Sequence, residues 1–186
     1  LIAMQVIQQA FSHSASSFMI KKIDGSMVDL LYAPLSAGEV TLAVVFSAVT
    51  RSVMIAVISA ITFYFIIELK IIHWMILITF TFLSSFILGA TGMIAGLWAE
   101  KFDHMATVTN FIIVPLSFLS GTFYTIDKLP VFLQIISKLN PFFYMIDGFR
   151  YSFIGKADGS ITIGLIYLII LSFVTWFITY LLYKKG

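Results

Sequence analysis

The sequence predicts an all-α fold, a polytopic transmembrane helix bundle of five spans with a re-entrant or interfacial outer segment. Hydrophobic residues make up 60% of the chain and charged residues 11%, against roughly one-quarter charged residues in soluble domains. Mean hydropathy is +1.04. The apolar stretches run continuously; they do not alternate in segments of about ten residues, as a transmembrane barrel requires. About 20 such residues at about 1.5 Å each cross a hydrocarbon core of about 30 Å.

The first span, residues 1–20, carries no charge but holds Gln5, Gln8, Gln9, Ser12, His13, Ser14, Ser16 and Ser17. Such a helix sits poorly against lipid on all sides and is expected to face other helices. The chain opens inside apolar sequence with no basic region before it, which reads as a fragment lacking its N-terminal part and not as a signal peptide.

A polar connection follows at residues 21–39, with Lys21, Lys22, Asp24, Gly25, Asp29, Pro34 and Glu39. Ser26 and Asp29 have capping-box spacing ahead of Leu30 and Leu31, predicting a short helix with Met27, Leu30 and Leu31 on one side. The second span, residues 40–67, is interrupted only by Arg51. Its stem can carry the guanidinium back to the headgroups, or the group can meet an anionic lipid or substrate headgroup.

Residues 74–99 form the third span, with Trp74 as an interfacial anchor. Gly89, Gly92 and Gly96 lie on one side of it, a spacing that lets helices approach closely, either within one subunit or between two. The fourth span, residues 106–123, contains Asn110 and Pro115 and ends at Ser120-Gly121. Proline removes a backbone donor, so a kink is expected there, with a hinge at Pro115 and Gly121 as the alternative. Asn110, Gln5, Gln8 and Gln9 serve either interhelical hydrogen bonds or a substrate route.

Residues 124–160 are too short and too apolar for a soluble domain. Within them, residues 131–139 predict an interfacial or re-entrant helix, and Phe142, Phe143, Tyr144 and Tyr151 give a belt-like aromatic cluster. Asp147 and Arg150, three apart, share a helical face and either pair or stand exposed in water. The fifth span, residues 161–183, closes on Lys184-Lys185, which reads as cytoplasmic. Residues 21–39 and 100–104 then lie inside, and residues 68–73 and 124–160 outside. Lysines and arginines tie between the two sides, so the orientation rests on the longer outer loop, the terminal lysine pair and Arg51.

Several function classes lose support. The chain has no cysteine, so disulfides and thiolate sites are excluded. A net charge of +2 gives no case for nucleic acid. His13, His73 and His104 lie far apart without metal-ligand spacing. No Gly-rich loop with Lys-Ser/Thr is present to cradle nucleotide phosphates. An intramembrane enzyme would need convergent acid, base or nucleophile groups, and the spans offer scattered amides and hydroxyls.

The run Val114-Pro115-Leu116-Ser117-Phe118-Leu119-Ser120-Gly121-Thr122-Phe123-Tyr124, then Leu129-Pro130, Asn140-Pro141-Phe142 and Ile146-Asp147-Gly148-Phe149-Arg150-Tyr151, resembles the C-terminal signature of the type-2 permeases of ATP-binding-cassette (ABC) transporters. Asp29-Leu30-Leu31-Tyr32-Ala33-Pro34-Leu35-Ser36 is similar to that family's cytoplasmic loop between its second and third spans. The overall likeness is to bacterial permeases grouped with drug, nodulation-factor and polysaccharide exporters.

The resemblance implies six spans in the whole family. Residues 1–186 are then one transmembrane domain lacking an interfacial helix, the first span and part of the second. It also implies an inner-membrane location, a second permease copy, contact with membrane lipid, and two copies of a separate ATPase subunit that carries the ATP and Mg. Residues 21–39 become a coupling loop, with Met27, Leu30 and Leu31 docking the ATPase and Asp24, Gly25 and Pro34 shaping its ends; an amphipathic helix on the bilayer surface is the alternative. The implied activity is export of an amphiphilic, drug-like, lipid-linked or glycan substrate by alternating access. A different class, an ion-gradient-driven secondary transporter or channel, would carry intramembrane acidic residues or inverted repeats; here the acidic residues fall in or beside loops.

Overall fold

The computed structural model describes residues 2–67, 71–121 and 130–185, the side chains of Leu31, Ile66 and Ile67 excepted. The described residues are helical, with no strand among them. The chain runs α1 (Ile2–Ile23), α2 (Met27–Tyr32), α3 (Ala37–Ile67), α4 (Trp74–Trp98), α5 (Phe102–Val108), a π-helical turn (Thr109–Ile113), α6 (Val114–Phe118), α7 (Val131–Leu139), α8 (Pro141–Ile154) and α9 (Ile161–Lys185).

Three of these, α3, α4 and α9, are long and apolar enough to cross a membrane by length and composition. The polar first helix, α1, is 22 residues long, and its side chains explain its place. Its apolar positions Ala3, Val6, Ile7, Ala10, Phe11, Ala15 and Phe18 are buried, and it packs chiefly against α4 and then α3. By contrast α3 and α9 leave broad apolar faces exposed, including Ile58, Ile61, Phe65, Ile163, Ile170 and Phe173.

Glycine sets the α1–α4 distance. A methyl group on Gly92 would stand 2.4 Å from the carbonyl oxygen of Phe11, and one on Gly96 would stand 2.8 Å from that of Ala15. Gly89 faces α3 less tightly, 3.1 Å from Ala48 Cβ by the same measure. Lys22 closes the seam by donating to the carbonyl of Ala99 at 2.9 Å, and also to that of Leu97. These oxygens sit at the C-terminal end of α4, where helix carbonyls have no partner of their own.

Trp74 and Trp98 stand exposed at the two ends of α4, separated by 24 residue steps or about 36 Å. Indole rings at both ends mark the two interfaces of an apolar layer.

The break expected at Pro115 takes the form of a π turn just before it. The Val114 N–H donates to Thr109 O, five residues back. Proline cannot donate to residue i−4 and its ring crowds that carbonyl, so the wider turn accommodates it, as single π turns do within α-helices. The helix stops at Leu119, and Gly121 has φ +76°, the left-handed conformation that glycine adopts freely.

The capping box expected at Ser26 and Asp29 does not form. Ser26 precedes α2 but its hydroxyl makes no capping bond, and its backbone at φ −73°, ψ 1° is outside the extended region an N-cap uses. The capping box belongs to Ser36 and Glu39. Glu39 accepts the Ser36 N–H at 2.7 Å and its hydroxyl at 2.8 Å, while the Glu39 N–H donates to Ser36 Oγ at 3.3 Å.

Candidate functional site

Three places gather the residues singled out by the sequence: the outer segment, the loop between α1 and α3, and a polar cleft beside α1.

In the segment expected on the outer side, α7 and α8 are consecutive helices joined at Asn140. Phe142 and Met145, early in α8, line a cavity of about 400 Å³ with Ile87, Leu88, Leu171 and Thr175 midway along α4 and α9. At the other end of α8, Ser152 O accepts the N–H groups of Ile72 (2.9 Å) and His73 (3.2 Å), and the His73 and Tyr151 rings stack with centroids 4.9 Å apart. Nine residues, about 13 Å of helix, make α7 far too short to cross. Pro130 before α7 and Asn140-Pro141 after it fix its limits.

The signature residues converge here on the frayed end of α6. Asn140 caps α8 by accepting the Phe142 N–H at 3.0 Å, and its amide donates to Leu116 O at 2.7 Å. Ser137 Oγ donates to Leu119 O at 3.0 Å, and Arg150 donates to Gly121 O. Three polar side chains thus satisfy carbonyls that a helix end leaves open. Leu129, with the rest of 122–129, lies outside the described residues.

Asp147 and Arg150 are brought together only loosely, at 3.9 Å. Arg150 forms its close ion pair with Asp158, in the turn between α8 and α9. Asp147 is 3% exposed and accepts the N–H groups of Asp158 at 2.8 Å and Gly159 at 2.9 Å. Burial pushes its carboxyl above the ordinary aspartate range, opposed by these two N–H donors and by Arg150. Gly148 lets α8 lie on Phe80 of α4, whose ring would be 2.1 Å from an added methyl. This cluster is a clasp that fixes the outer turn; it holds no free acid–base pair.

The loop between α1 and α3 is shaped by Gly25 at φ +73° and by the exposed Pro34 and Asp24. Met27 turns toward the bundle, lining a cavity of about 600 Å³ with Lys22, Ile94, Leu97, Trp98, Leu182 and Tyr183. Leu30 is half-buried. The face presented outward carries Val28, Asp29, Tyr32 and Leu35, none of which is in the expected docking set.

The polar cleft lies between α1, α3 and α5. Gln9, Ser12, His13 and Ser16 of α1 line a cavity of about 380 Å³ with Arg51, Phe102, Met105, Ala106 and Thr109. Arg51 Nη1 lies 3.1 Å from His13 Nδ1. Of the four amides expected on a substrate route, Gln9 is in the cleft, Gln8 is half-buried outside its lining, and Gln5 and Asn110 are exposed elsewhere. Among the described residues no group of three or more His, Asp or Glu side chains is placed to hold a metal.

A family model described as ABC-2 type transporter matches residues 1–154. The inner membrane transport permease YadH of Escherichia coli (strain K12) is 31% identical over 188 residues, covering 100% of this chain and 73% of that protein. Its counterpart of the same name in Shigella flexneri gives the same figures. Nodulation protein J of Rhizobium leguminosarum bv. viciae is 25% identical over 134 residues, 68% of this chain and 49% of that protein. The chain therefore belongs to the ABC-2 type transporter family and is a helical membrane subunit of that transporter class.

Proposed function

We propose that the chain works as the permease of an ATP-driven exporter in a bacterial inner membrane, pairing with a second permease copy and two ATPase subunits that hold ATP and Mg. Its five spans are α1, α3, α4, the run α5 to α6, and α9, with the ends marked by Lys22, Trp98 and Lys185 on the cytoplasmic side. The substrate is an amphiphilic, drug-like, lipid-linked or glycan molecule moved by alternating access, each ligand state favouring one conformation.

The observation that carries this reading is the compact loop of α2. It is tied to the ends of both α1 and α4 through Met27 and Lys22, and it offers Val28, Tyr32 and Leu35 to a partner. A loop so joined transmits a push on α2 directly to the two most tightly packed helices. In a membrane location, the names of the relatives agree with the inner membrane assignment.

The test is capture of the full-length permease with its ATPase from detergent, comparing wild type with Leu30→Asp and Tyr32→Asp. Specific loss of the ATPase by either variant, with folding and insertion intact, supports docking through this loop. Unchanged binding removes the docking site, and no ATPase with wild type puts the ion-gradient-driven transporter first.

A further inference from the structure

We propose that the cleft around Arg51 and His13 binds the phosphate-bearing headgroup of an amphiphile within the cytoplasmic half of the membrane. The leaflet rests on the topology proposed above; the site itself rests on the following geometry.

On that topology Arg51, exposed on α3, is a cation at the level of the apolar layer. Phe11 lies against Gly92 and Ala15 against Gly96, so His13 between them lies about four residues or 6 Å in from Trp98. The guanidinium bonded to His13 therefore stands within the span and short of the headgroup level. A charge at that depth is costly and normally faces a partner or a water-filled cavity. Among the described residues no carboxylate lies within ion-pair reach of Arg51, and none lines the cleft.

What surrounds it is a set of neutral hydrogen-bonding groups, Gln9, Ser12, Ser16 and Thr109, beside His13. Only one guanidinium nitrogen is engaged, by a ring nitrogen, which leaves donors for two oxygens. A planar fork of N–H donors beside the Gln9 amide and the Ser12 hydroxyl matches a tetrahedral phosphate, whose oxygens accept from them, while the Ser16 and Thr109 hydroxyls donate to the carbonyls of His13 and Met105. The exposed Phe102 and the buried Met105 on the cleft wall suit the first methylenes of an attached chain. Phe11 also lines the apolar cavity on the far side of the π-helical turn, so polar and apolar compartments adjoin across one side chain, as an amphiphile requires.

The test uses the full-length permease with its ATPase in phosphatidylcholine nanodiscs doped with phosphatidic acid or, as the neutral control, diacylglycerol. Retained lipid is read by native mass spectrometry. Wild type is expected to retain phosphatidic acid at least tenfold over diacylglycerol, Arg51→Gln to lose that preference, and Arg51→Lys to keep part of it. Ser12→Ala, which removes one hydroxyl and leaves the charge, should weaken retention several-fold and guards against misfolding of the arginine variant. Equal retention of the two lipids, or an undiminished preference in a folded Arg51→Gln, overturns the proposal. So does displacement by inorganic phosphate alone at matching concentration, which would make the ligand a free anion.

Adding ATP separates the two sources of the headgroup. Depletion of bound phosphatidic acid on turnover identifies a transported amphiphile, whereas unchanged occupancy identifies a resident bilayer lipid; both keep the site. Arg51-dependent retention in a complex that hydrolyses ATP without transport would sink the exporter reading while leaving this one standing.

Discussion

The Asp147 carboxylate accepts the backbone N–H of Gly159 at 2.9 Å, so a buried side chain of α8 fixes the turn that launches α9. The neighbouring N–H of Asp158 is held by the other oxygen, and the Asp158 side chain in turn holds Arg150. Asp147→Ala should leave both N–H groups without their acceptor and lower stability by about 1.5–3 kcal/mol, the range for bonds to a charged group. Asp147→Asn, which keeps one acceptor, should lose less. Thermal unfolding in micelles decides; an alanine variant as stable as wild type would show the clasp to be ornamental.

The same residue has a pH signature. Burial raises its carboxyl above the ordinary aspartate value, so the folded state binds the proton more tightly than the unfolded state. Its contribution to stability is then fully present below about 3.9 and declines as pH rises through the higher folded value. Most carboxylates, held low by partners, behave in the opposite sense. The stability difference between wild type and Asp147→Asn should therefore move against wild type as pH rises through that window. A difference that stays flat between pH 4 and 7 rejects the assignment.

Lys22 ties the end of α1 to the end of α4. Its amine meets the carbonyls of Leu97 and Ala99, and a cation at a helix C-terminus also suits the helix dipole. Lys22→Met keeps the aliphatic stem but removes the donors, and should cost about 1–2 kcal/mol. Lys22→Arg should restore most of it. Hydrogen exchange at Ala99 provides a local readout that a general loss of packing would not single out.

Much of this architecture was legible in the chain, and the parts that were not share a cause. The limits of α7 were readable because Pro130 and Asn140-Pro141 punctuate them, and α4 because 25 residues from Trp74 to Trp98 carry no charge. Pairings that cross elements left no local trace. His13 meets Arg51 from 38 positions away, and Arg150 finds Asp158 across a turn in preference to the helical neighbour that spacing suggested. The π turn was visible only as a proline, since the backbone's way of absorbing Pro115 depends on what packs around it.

The capping boxes show how one pattern misleads. Ser26-x-x-Asp29 and Ser36-x-x-Glu39 both match, yet only the second serine-to-acid pair is reciprocal, because Ser26 lacks the extended backbone that aims its hydroxyl at the helix. Ser36→Ala should speed hydrogen exchange in the first turn of α3 about fivefold, the usual worth of an N-cap. Ser26→Ala should leave α2 unchanged. Equal effects at both sites would restore the first box.

The glycine seam orders a final set of variants by what an added methyl meets. At Gly92 it would meet backbone, the Phe11 carbonyl oxygen at 2.4 Å; at Gly89 it would meet the side chain of Ala48 at 3.1 Å. Backbone cannot turn aside, so α1 must move off α4, whereas a few tenths of an ångström suffice at Gly89. Gly92→Ala should cost about 1–3 kcal/mol and Gly89→Ala no more than about 1, the low end of overpacking. Because α1 also carries His13 and Gln9 of the polar cleft, displacement at Gly92 should weaken phosphatidic acid retention as well, while Gly89→Ala should not. Equal losses from the two glycines would mean that the α1–α4 distance is set by something other than their missing side chains.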